Sequence, residues 1–187
     1  KLGSINGNQS VKNSKELIDR LSAVGALADN ERLVSFDVKA LFPSTPVKEA
    51  ITKFQEWLLR FGSTPEWRKK AKQYARLASL CMSENYFTFR GKYFKTTSGV
   101  AMGNPLSPLL SEIFMASLEE KMEQNGLLPN KWFRYVDDIL AVIPDTNIQN
   151  MLDKINTLHP KITFTHEIEV NNQLAFLDLT IKRQFTF

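Results

Sequence analysis

The chain has 187 residues, of which 43% are hydrophobic, and it carries a formal net charge of +4 with a pI near 9.1. This length and apolar content predict one domain over residues 1–187, and the single cysteine, Cys81, excludes an internal disulfide framework and fits a reducing, intracellular compartment. Apolar stretches such as Ile139 to Ile143 are far too short for a membrane span, which excludes a membrane role, while the basic charge is compatible with nucleic acid.

The first 31 residues are predicted to form a loop and a helix, and the remaining residues, 32–187, carry the motifs. Lys1 to Ser10 is rich in Gly, Ser and Asn, as is typical of a loop. Asn13 or Ser14 can cap a short helix that ends near Val24. The apolar run Leu33 to Val38 then predicts a buried strand.

Two helices with proline in the first turn are predicted next. They begin at Ser44-Thr45-Pro46 and at Thr64-Pro65. Their aromatic residues have helical spacing and are expected in the core rather than as base-stacking platforms; these are Trp57, Phe61, Trp67 and Tyr74. Tyr86 to Phe89 and Tyr93 to Thr96 flank Arg90-Gly91 and predict a hairpin.

The second half of the chain is predicted to alternate helices and strands. Pro105 opens a buried helix, and the apolar strands Trp132 to Val136 and Ile139 to Ile143 place the pair Asp137-Asp138 at a hairpin tip. The last predicted elements are a helix capped by Asp145 or Thr146, a half-buried strand from Ile162 to Val170, and a strand from Leu174 to Ile181. This order predicts an α+β fold in which helices back one face of an antiparallel sheet.

The aspartates are the candidate chemical groups. Asp37 ends an apolar strand and Asp137-Asp138 lies at a hairpin tip, where uncompensated carboxylates are costly. Magnesium takes oxygen ligands and often binds through one or two carboxylates plus substrate phosphates, so it would offset this repulsion. Each acid motif alone is also common in turns and helix caps. Their combination indicates a site for two-metal phosphoryl transfer.

Four ordered segments resemble motifs A, B, C and E of reverse transcriptases. They are Phe36 to Phe42 (FDVKALF), Gly99 to Pro108 (GVAMGNPLSP), Arg134 to Asp138 (RYVDD) and Ala175 to Leu179 (AFLDL). Three segments resemble the corresponding sequences of Penelope-like retroelements, which are relatives of telomerase. They are motif B, Val11 to Ser14 (VKNS) and Leu158 to Thr165 (LHPKITFT). The resemblance covers about residues 11–181. It implies a polymerase palm that adds deoxynucleoside triphosphates to a DNA primer on an RNA template, and a nuclear location.

The resemblance also implies roles at the metal and nucleotide sites. Asp37 and Asp137 would bind two Mg²⁺ ions, for which Mn²⁺ can substitute, with Asp138 as a less essential acid and the Val38 carbonyl as a further ligand. Nucleotide binding would involve Phe42 as a steric gate against ribonucleotides, Met102, Gly103 and Lys161. Met102 stands where many relatives carry glutamine, and core packing is its alternative role. Lys161 would protonate the leaving pyrophosphate, with Lys154 and Lys182 as alternatives.

Two further groups are predicted to contact nucleic acid. By resemblance, Phe176, Leu177, Asp178 and Leu179 would form a primer-grip hairpin in which Asp178 is structural. Exposed cations suffice for phosphate contact, so the predicted hairpin residues Arg90, Lys92 and Lys95 are candidates for binding template or primer. The two histidines lack the spacing of a zinc site.

Parts of a polymerase that relatives carry are not recognised in these residues. A fingers subdomain is expected before Asp37 and a helical thumb after Leu179, so we expect a palm with little processive synthesis and with exposed apolar surface that favours self-association. The alternative function is a binding or scaffold module without chemistry. A third interpretation is a viral RNA-copying polymerase or a nucleotide cyclase. These enzymes also use metal ions bound by carboxylates, but they do not share the pattern of Tyr135-Val136-Asp137-Asp138 and Phe42.

Overall fold

The computed structural model describes residues 9–183, so residues 1–8 of the predicted N-terminal loop lie outside the described residues. The described residues group into two units, one of residues 40–118 and one of residues 9–39 and 119–183. The prediction of a single domain over residues 1–187 stays a prediction. No helix within residues 9–183 is both long enough and apolar enough to span a membrane.

The described residues form helices and antiparallel strands. In chain order they are α1 (Ser14–Ser22), β1 (Glu31–Val38), α2 (Leu41–Ser44), α3 (Val47–Leu59), α4 (Pro65–Ser83), β2 (Tyr86–Phe89), β3 (Lys92–Lys95), α5 (Ser107–Gln124), β4 (Trp132–Tyr135), β5 (Asp138–Pro144), a 3-10 turn (Asp145–Asn147), α6 (Ile148–Asn156), β6 (Phe164–Ile168), β7 (Gln173–Phe176) and β8 (Leu179–Lys182).

Local capping chemistry explains where the predicted helices begin. The Asn13 side chain accepts a hydrogen bond from the Glu16 N–H at 2.9 Å at the start of α1. Thr64 accepts one from the Trp67 N–H at 3.1 Å, and Pro65 fills the first position of α4. These two predicted helix starts are confirmed.

Three features of the secondary structure differ from the predicted elements. The short helix α2 was not expected; it follows Ala40, whose φ of 49° turns the chain out of β1. Asp145 and Thr146 both lie within a 3-10 turn before α6, and neither of them caps the helix. The strand predicted from Leu174 to Ile181 is two strands, because Leu177 has a φ of 53° and reverses the chain so that β7 pairs with β8.

The sheet of the unit with residues 9–39 and 119–183 has the order β4-β5-β1-β6 and is antiparallel throughout. Side chains alternate along a strand, so Phe36 and Arg134 lie on one face and Leu33 and Asp37 on the other. Glu119 of α5 contacts the first face. On the second face α1 and the β7–β8 hairpin share one apolar core with the sheet, formed by Val11, Leu17, Leu33, Phe133, Leu140, Val142, Leu174 and Phe176. The predicted mixed fold is confirmed, but helical elements lie on both faces.

The unit of residues 40–118 contains the paired helices α3 and α4 and the β2–β3 hairpin. The buried residues of α4 are small ones and a methionine, namely Ala71, Ala75, Ala78 and Met82. Of the aromatic residues predicted to be core, Trp57 is buried, but Phe61 and Tyr74 are 42% and 47% exposed. The alanine stripe takes the interior position on α4, which leaves Tyr74 outside.

Candidate active site

Strand register brings two of the predicted catalytic aspartates together. Asp37, near the end of β1, lies directly opposite Asp138, the first residue of β5. Asp137 precedes Asp138 in the turn between β4 and β5, and its carbonyl accepts a hydrogen bond from the Val38 N–H at 3.1 Å. The acid-bearing turn is therefore hydrogen-bonded to the strand end that carries the third acid.

The turn itself has an unusual backbone. Tyr135 pairs with Asp138 across it, and Val136 has a φ of 58°, in the left-handed region that β-branched residues rarely adopt. The buried guanidinium of Arg134 donates a hydrogen bond to the Val136 carbonyl at 3.3 Å. Arg134 was identified in the sequence only as part of motif C, yet it contacts the strained residue directly.

The three carboxylates interact electrostatically. Partial burial, and then the nearby charges of Asp137 and Asp37, raise the pKa of the Asp138 carboxyl above its ordinary value of 3.8. Within residues 9–183, however, no three His, Cys, Asp or Glu side chains are arranged as a closed metal-ligand set. The acids are close enough to repel one another without converging on one point. An oxygen-only donor set of this kind fits a hard divalent cation that also takes water and phosphate ligands.

An open cleft of about 370 Å³ adjoins the acids. Its lining comes from β1, β5, β6 and β7 and consists of Ser35, Asp37, Asp138, Thr165, His166, Glu167, Ala175 and Phe176. The cleft thus joins motifs A, C and E. Sequence reasoning missed Thr165, His166 and Glu167, because their position follows from the pairing of β6 with β1. The alternation of residues 162–170 was the signal that could have placed Thr165 and Glu167 on the Asp37 face.

The residues predicted to bind the nucleotide sugar and base lie in the unit of residues 40–118. Phe42 of α2 is half-buried, and its carbonyl accepts a hydrogen bond from the Val100 N–H at 2.8 Å. Gly99 has a φ of 72°, and a Cβ on it would lie 2.2 Å from the Pro43 carbonyl oxygen. The start of motif B is therefore packed closely against the end of motif A, and a side chain at position 99 would separate them.

Met102 and Gly103 present an open surface. Met102 is 77% exposed, so the alternative that it packs in the core is wrong. Gly103 has a φ of 91°, and a Cβ on it would meet no described atom within 4 Å. Space is therefore available beside this backbone, and the predicted nucleotide contacts of both residues stay predictions.

The predicted proton donor and primer grip lie in the other unit. Lys161 is exposed in the loop between α6 and β6, and its role and those of its alternatives Lys154 and Lys182 stay predictions. In the predicted grip, Phe176 is buried and pairs with Leu179. Asp178 accepts a hydrogen bond from the Ser14 hydroxyl, which ties the hairpin to the start of α1.

The predicted phosphate-binding cations are all exposed on or beside the β2–β3 hairpin. Arg90 lies in the turn, with its guanidinium carbon 5.2 Å from the centroid of the Phe89 ring. Lys92 begins β3. Lys95 forms an ion pair with Glu84 at 3.4 Å, so phosphate binding there would compete with this carboxylate. Arg90 and Lys92 are the stronger candidates.

Solved structures of telomerases and of a viral polymerase have folds similar to that of this chain. It aligns with apo telomerase from Candida tropicalis with a TM-score of 0.70 and 17% identity, over 96% of this chain and 36% of the telomerase chain. Telomerase from Candida albicans in complex with a TWJ fragment of telomeric RNA gives a TM-score of 0.69 and 14% identity, over 94% and 35% of the respective chains. The BmCPV RNA-dependent RNA polymerase at elongation state is less similar, with a TM-score of 0.55 and 11% identity over 96% of this chain and 20% of the polymerase. These likenesses show a shared fold.

The chain spans about a third of the length of these telomerase chains. No curated protein matches the sequence. The sequence model of the family described as reverse transcriptase (RNA-dependent DNA polymerase) matches residues 4–173, and the paired acids of β1 and β5 fall inside that match. The chain therefore belongs to the reverse transcriptase family.

Proposed function

We propose that this chain is the palm of a Penelope-like retroelement reverse transcriptase, which adds deoxynucleotides to a DNA primer on an RNA template. The observation that carries the proposal is that Asp37 and Asp138 lie opposite each other on paired strands and line an open cleft. Asp137 is next to them, and its carbonyl accepts a hydrogen bond from the Val38 N–H. These are the acids of motifs A and C, in family order. The motif B wording and its flanking segments support the Penelope-like assignment.

The acid cluster is proposed to hold two Mg²⁺ ions, or Mn²⁺ in their place. Asp37, Asp137 and Asp138 would be the side-chain ligands, and the Val38 carbonyl would add a backbone oxygen. When bound, the ions would favour ionisation of the primer 3′-hydroxyl and stabilise the charge on departing pyrophosphate. Beyond the effect of partial burial, part of the rise in the pKa of Asp138 comes from the charges of Asp137 and Asp37, and the same negative potential would attract a divalent cation.

The remaining residues are proposed to orient the substrates. Phe42 would lie under the nucleotide sugar and exclude a 2′-hydroxyl, and the open surface at Met102 and Gly103 would face the nucleotide or template. Phe176 to Leu179 would steer the primer end, since Ala175 and Phe176 line the same cleft as Asp37 and Asp138. Lys161 would donate the proton that leaves with pyrophosphate.

We propose RNA template, DNA primer and deoxynucleoside triphosphates as partners, in the nucleus, from the family resemblance. Because the chain spans about a third of the telomerase chains it resembles, we expect limited processive synthesis from residues 1–187 alone. A single-nucleotide assay is therefore more informative than one that requires long products.

The test is the addition of one deoxynucleotide to a labelled DNA primer on an RNA template, with Mg²⁺ or Mn²⁺. We expect metal-dependent addition by the parent chain, loss in Asp137→Asn, and retention in Asp19→Asn, which changes an exposed acid of α1. Metal should also raise the melting temperature of the parent chain and of Asp19→Asn by more than that of Asp137→Asn. A parent chain that binds primer–template, adds nothing and gains no more stability from metal than Asp137→Asn would overturn the proposal in favour of a binding or scaffold module.

A further inference from the structure

The basic charge of the chain is concentrated in one segment. Residues 65–95 contain eight Lys and Arg residues and two Glu residues, so 16 of the 24 basic and 18 of the 20 acidic residues lie elsewhere. All eight cations are exposed, and they are Arg68, Lys69, Lys70, Lys72, Arg76, Arg90, Lys92 and Lys95. The positive net charge of the chain thus comes from α4 and the β2–β3 hairpin, which suits a polyanionic partner.

The same hairpin exposes an aromatic face. Phe87 lies directly opposite Phe94, with ring centroids 5.5 Å apart and an angle of 20° between the rings. Phe89 and Lys92 form the next pair on that face, because side chains alternate along each strand. The three phenylalanines are between 41% and 58% exposed. A two-stranded hairpin is marginally stable alone in water, and an exposed apolar patch of this kind marks an interaction surface.

Side-chain amides fix the hairpin to the end of α4. The Asn85 amide donates a hydrogen bond to the Met82 carbonyl at 2.8 Å. The Asn104 amide donates to the Cys81 carbonyl at 3.2 Å and to the Asn85 side-chain oxygen at 3.0 Å. Asn104 belongs to motif B, so the aromatic face is linked through one residue to the segment proposed to bind the nucleotide.

We infer that α4 and the β2–β3 hairpin form a binding surface for single-stranded nucleic acid, which on the proposed function is the unpaired template. Cations alone would serve a duplex equally well, since phosphate contact needs no exposed bases. Exposed phenylalanine rings beside cations suit unstacked bases, which offer a π-face whatever their sequence. Phe87, Phe89 and Phe94 stack with bases, and Arg90 and Lys92 contact the phosphates between them.

Fluorescence anisotropy with the full chain tests the surface. The probes are a labelled 12-nucleotide RNA, a DNA of the same sequence, and the corresponding duplex. We expect tighter binding of the single strands than of the duplex, and at least about fivefold weaker single-strand binding by Phe89→Ala, in line with the energy of one base–aromatic stack. Phe89→Trp keeps the aromatic face and should restore binding. Phe61→Ala, which removes an exposed aromatic residue outside the surface, should bind like the parent.

Salt dependence separates the two kinds of contact. Lys92→Gln should lower the slope of log K against log salt by about 0.7 for a single strand, whereas Phe89→Ala should weaken binding without changing the slope. Lys48→Gln, an exposed lysine of α3, is the charge control. If Phe89→Ala does not fold, Lys92→Gln still decides the matter, because an unchanged slope and an unchanged affinity in that variant would overturn the surface.

Further measurements distinguish nucleic acid from a second copy of the chain as the occupant, and distinguish failure of the binding surface from failure of the proposed function. Sedimentation that shows a dimer in the parent, a monomer in Phe89→Ala and equal single-strand binding by both would assign the face to a second copy of the chain and overturn the inference. Single-strand binding and nucleotide addition are measured separately on the parent chain and on the hairpin variants. If the hairpin variants bind single strands less tightly than the parent but the parent adds no nucleotide, the proposed function is rejected and the binding surface is kept. If the parent adds nucleotides but the hairpin variants bind single strands as tightly as it does, the binding surface is rejected and the proposed function is kept.

Discussion

The Arg134 guanidinium binds both oxygens of the Glu119 carboxylate, from Nε at 2.7 Å and from Nη2 at 3.1 Å. Both side chains are buried, and Trp132 donates a third hydrogen bond to Glu119 at 3.0 Å. Because the Arg134 guanidinium also donates a hydrogen bond to the Val136 carbonyl, this ion pair connects α5 with the turn that carries Asp137. A charge-neutral, fully bonded pair therefore supports the proposed catalytic turn from inside the protein.

Removal of one partner of this pair should be costly. Glu119→Gln and Arg134→Met each leave a buried polar group or charge unmatched, so we expect each to lower the free energy of unfolding by about 3–5 kcal/mol. Glu119→Leu combined with Arg134→Met should cost much less than the sum, because no buried charge remains. Urea unfolding of the variants measures the difference. Additive losses in the double variant, or single losses below about 1 kcal/mol, would show that the pair is not coupled in this way.

Asp138→Asn should stabilise the metal-free protein near neutral pH. The raised pKa of Asp138 means that the folded state holds this proton more tightly than the unfolded state does, so stability falls as pH rises from 3.8 through the raised value. Asparagine removes that loss, and its advantage should disappear below pH 3.8. Thermal denaturation in EDTA across pH measures this, with Asp19→Asn as the control. A variant that melts at or below the parent at pH 7 would contradict the repulsion, and Mg²⁺ should raise the parent's melting temperature more than the variant's.

Gly99→Ala should separate a steric cost from a conformational one. Gly99 and Gly91 have almost the same φ, 72° and 71°, but a Cβ would strike the Pro43 carbonyl at position 99 and meet no described atom within 4 Å at position 91. We expect Gly91→Ala to cost about 1–2 kcal/mol for the left-handed backbone alone. Gly99→Ala should cost about 1–3 kcal/mol more, from forced displacement of the chain at Pro43. If chemical denaturation shows the same loss in free energy of unfolding for Gly99→Ala and Gly91→Ala, the chain at Pro43 moves away from residue 99 without an energetic cost.

Phe42→Val should relax sugar selection if Phe42 is the steric gate. The smaller side chain makes room for a 2′-hydroxyl, so ribonucleotide use relative to deoxyribonucleotide should rise at least about tenfold, or about 1.4 kcal/mol of lost discrimination. The measurement is the ratio of kcat/KM for matched nucleotides on one primed template. Phe42 is half-buried, so a purely structural role would instead lower stability by about 1–3 kcal/mol and leave the ratio unchanged. Phe61→Val controls for loss of an aromatic ring elsewhere.

Local chemistry in the sequence was sufficient for several elements. Asn13 and Thr64-Pro65 begin helices because a side-chain oxygen satisfies free backbone N–H groups within the same few residues. The apolar runs around Asp37 and Asp137-Asp138 predicted strands with acids at their ends, because a short apolar run next to polar residues is typical of a buried strand. The motifs these strands carry identified the family that the sequence model confirms.

Tertiary structure decided what depends on distant residues. Asp37 faces Asp138, and Thr165 and Glu167 join their cleft, through strand register, which no local pattern specifies. Periodicity placed Tyr74 in the core, but small residues allow the closest packing, so the alanine stripe of α4 took that position. The charge of Arg134 predicts exposure, yet it is buried because Glu119, fifteen residues earlier, compensates it. Sequence therefore determined the elements and the acids, and long-range pairing determined which groups share a site.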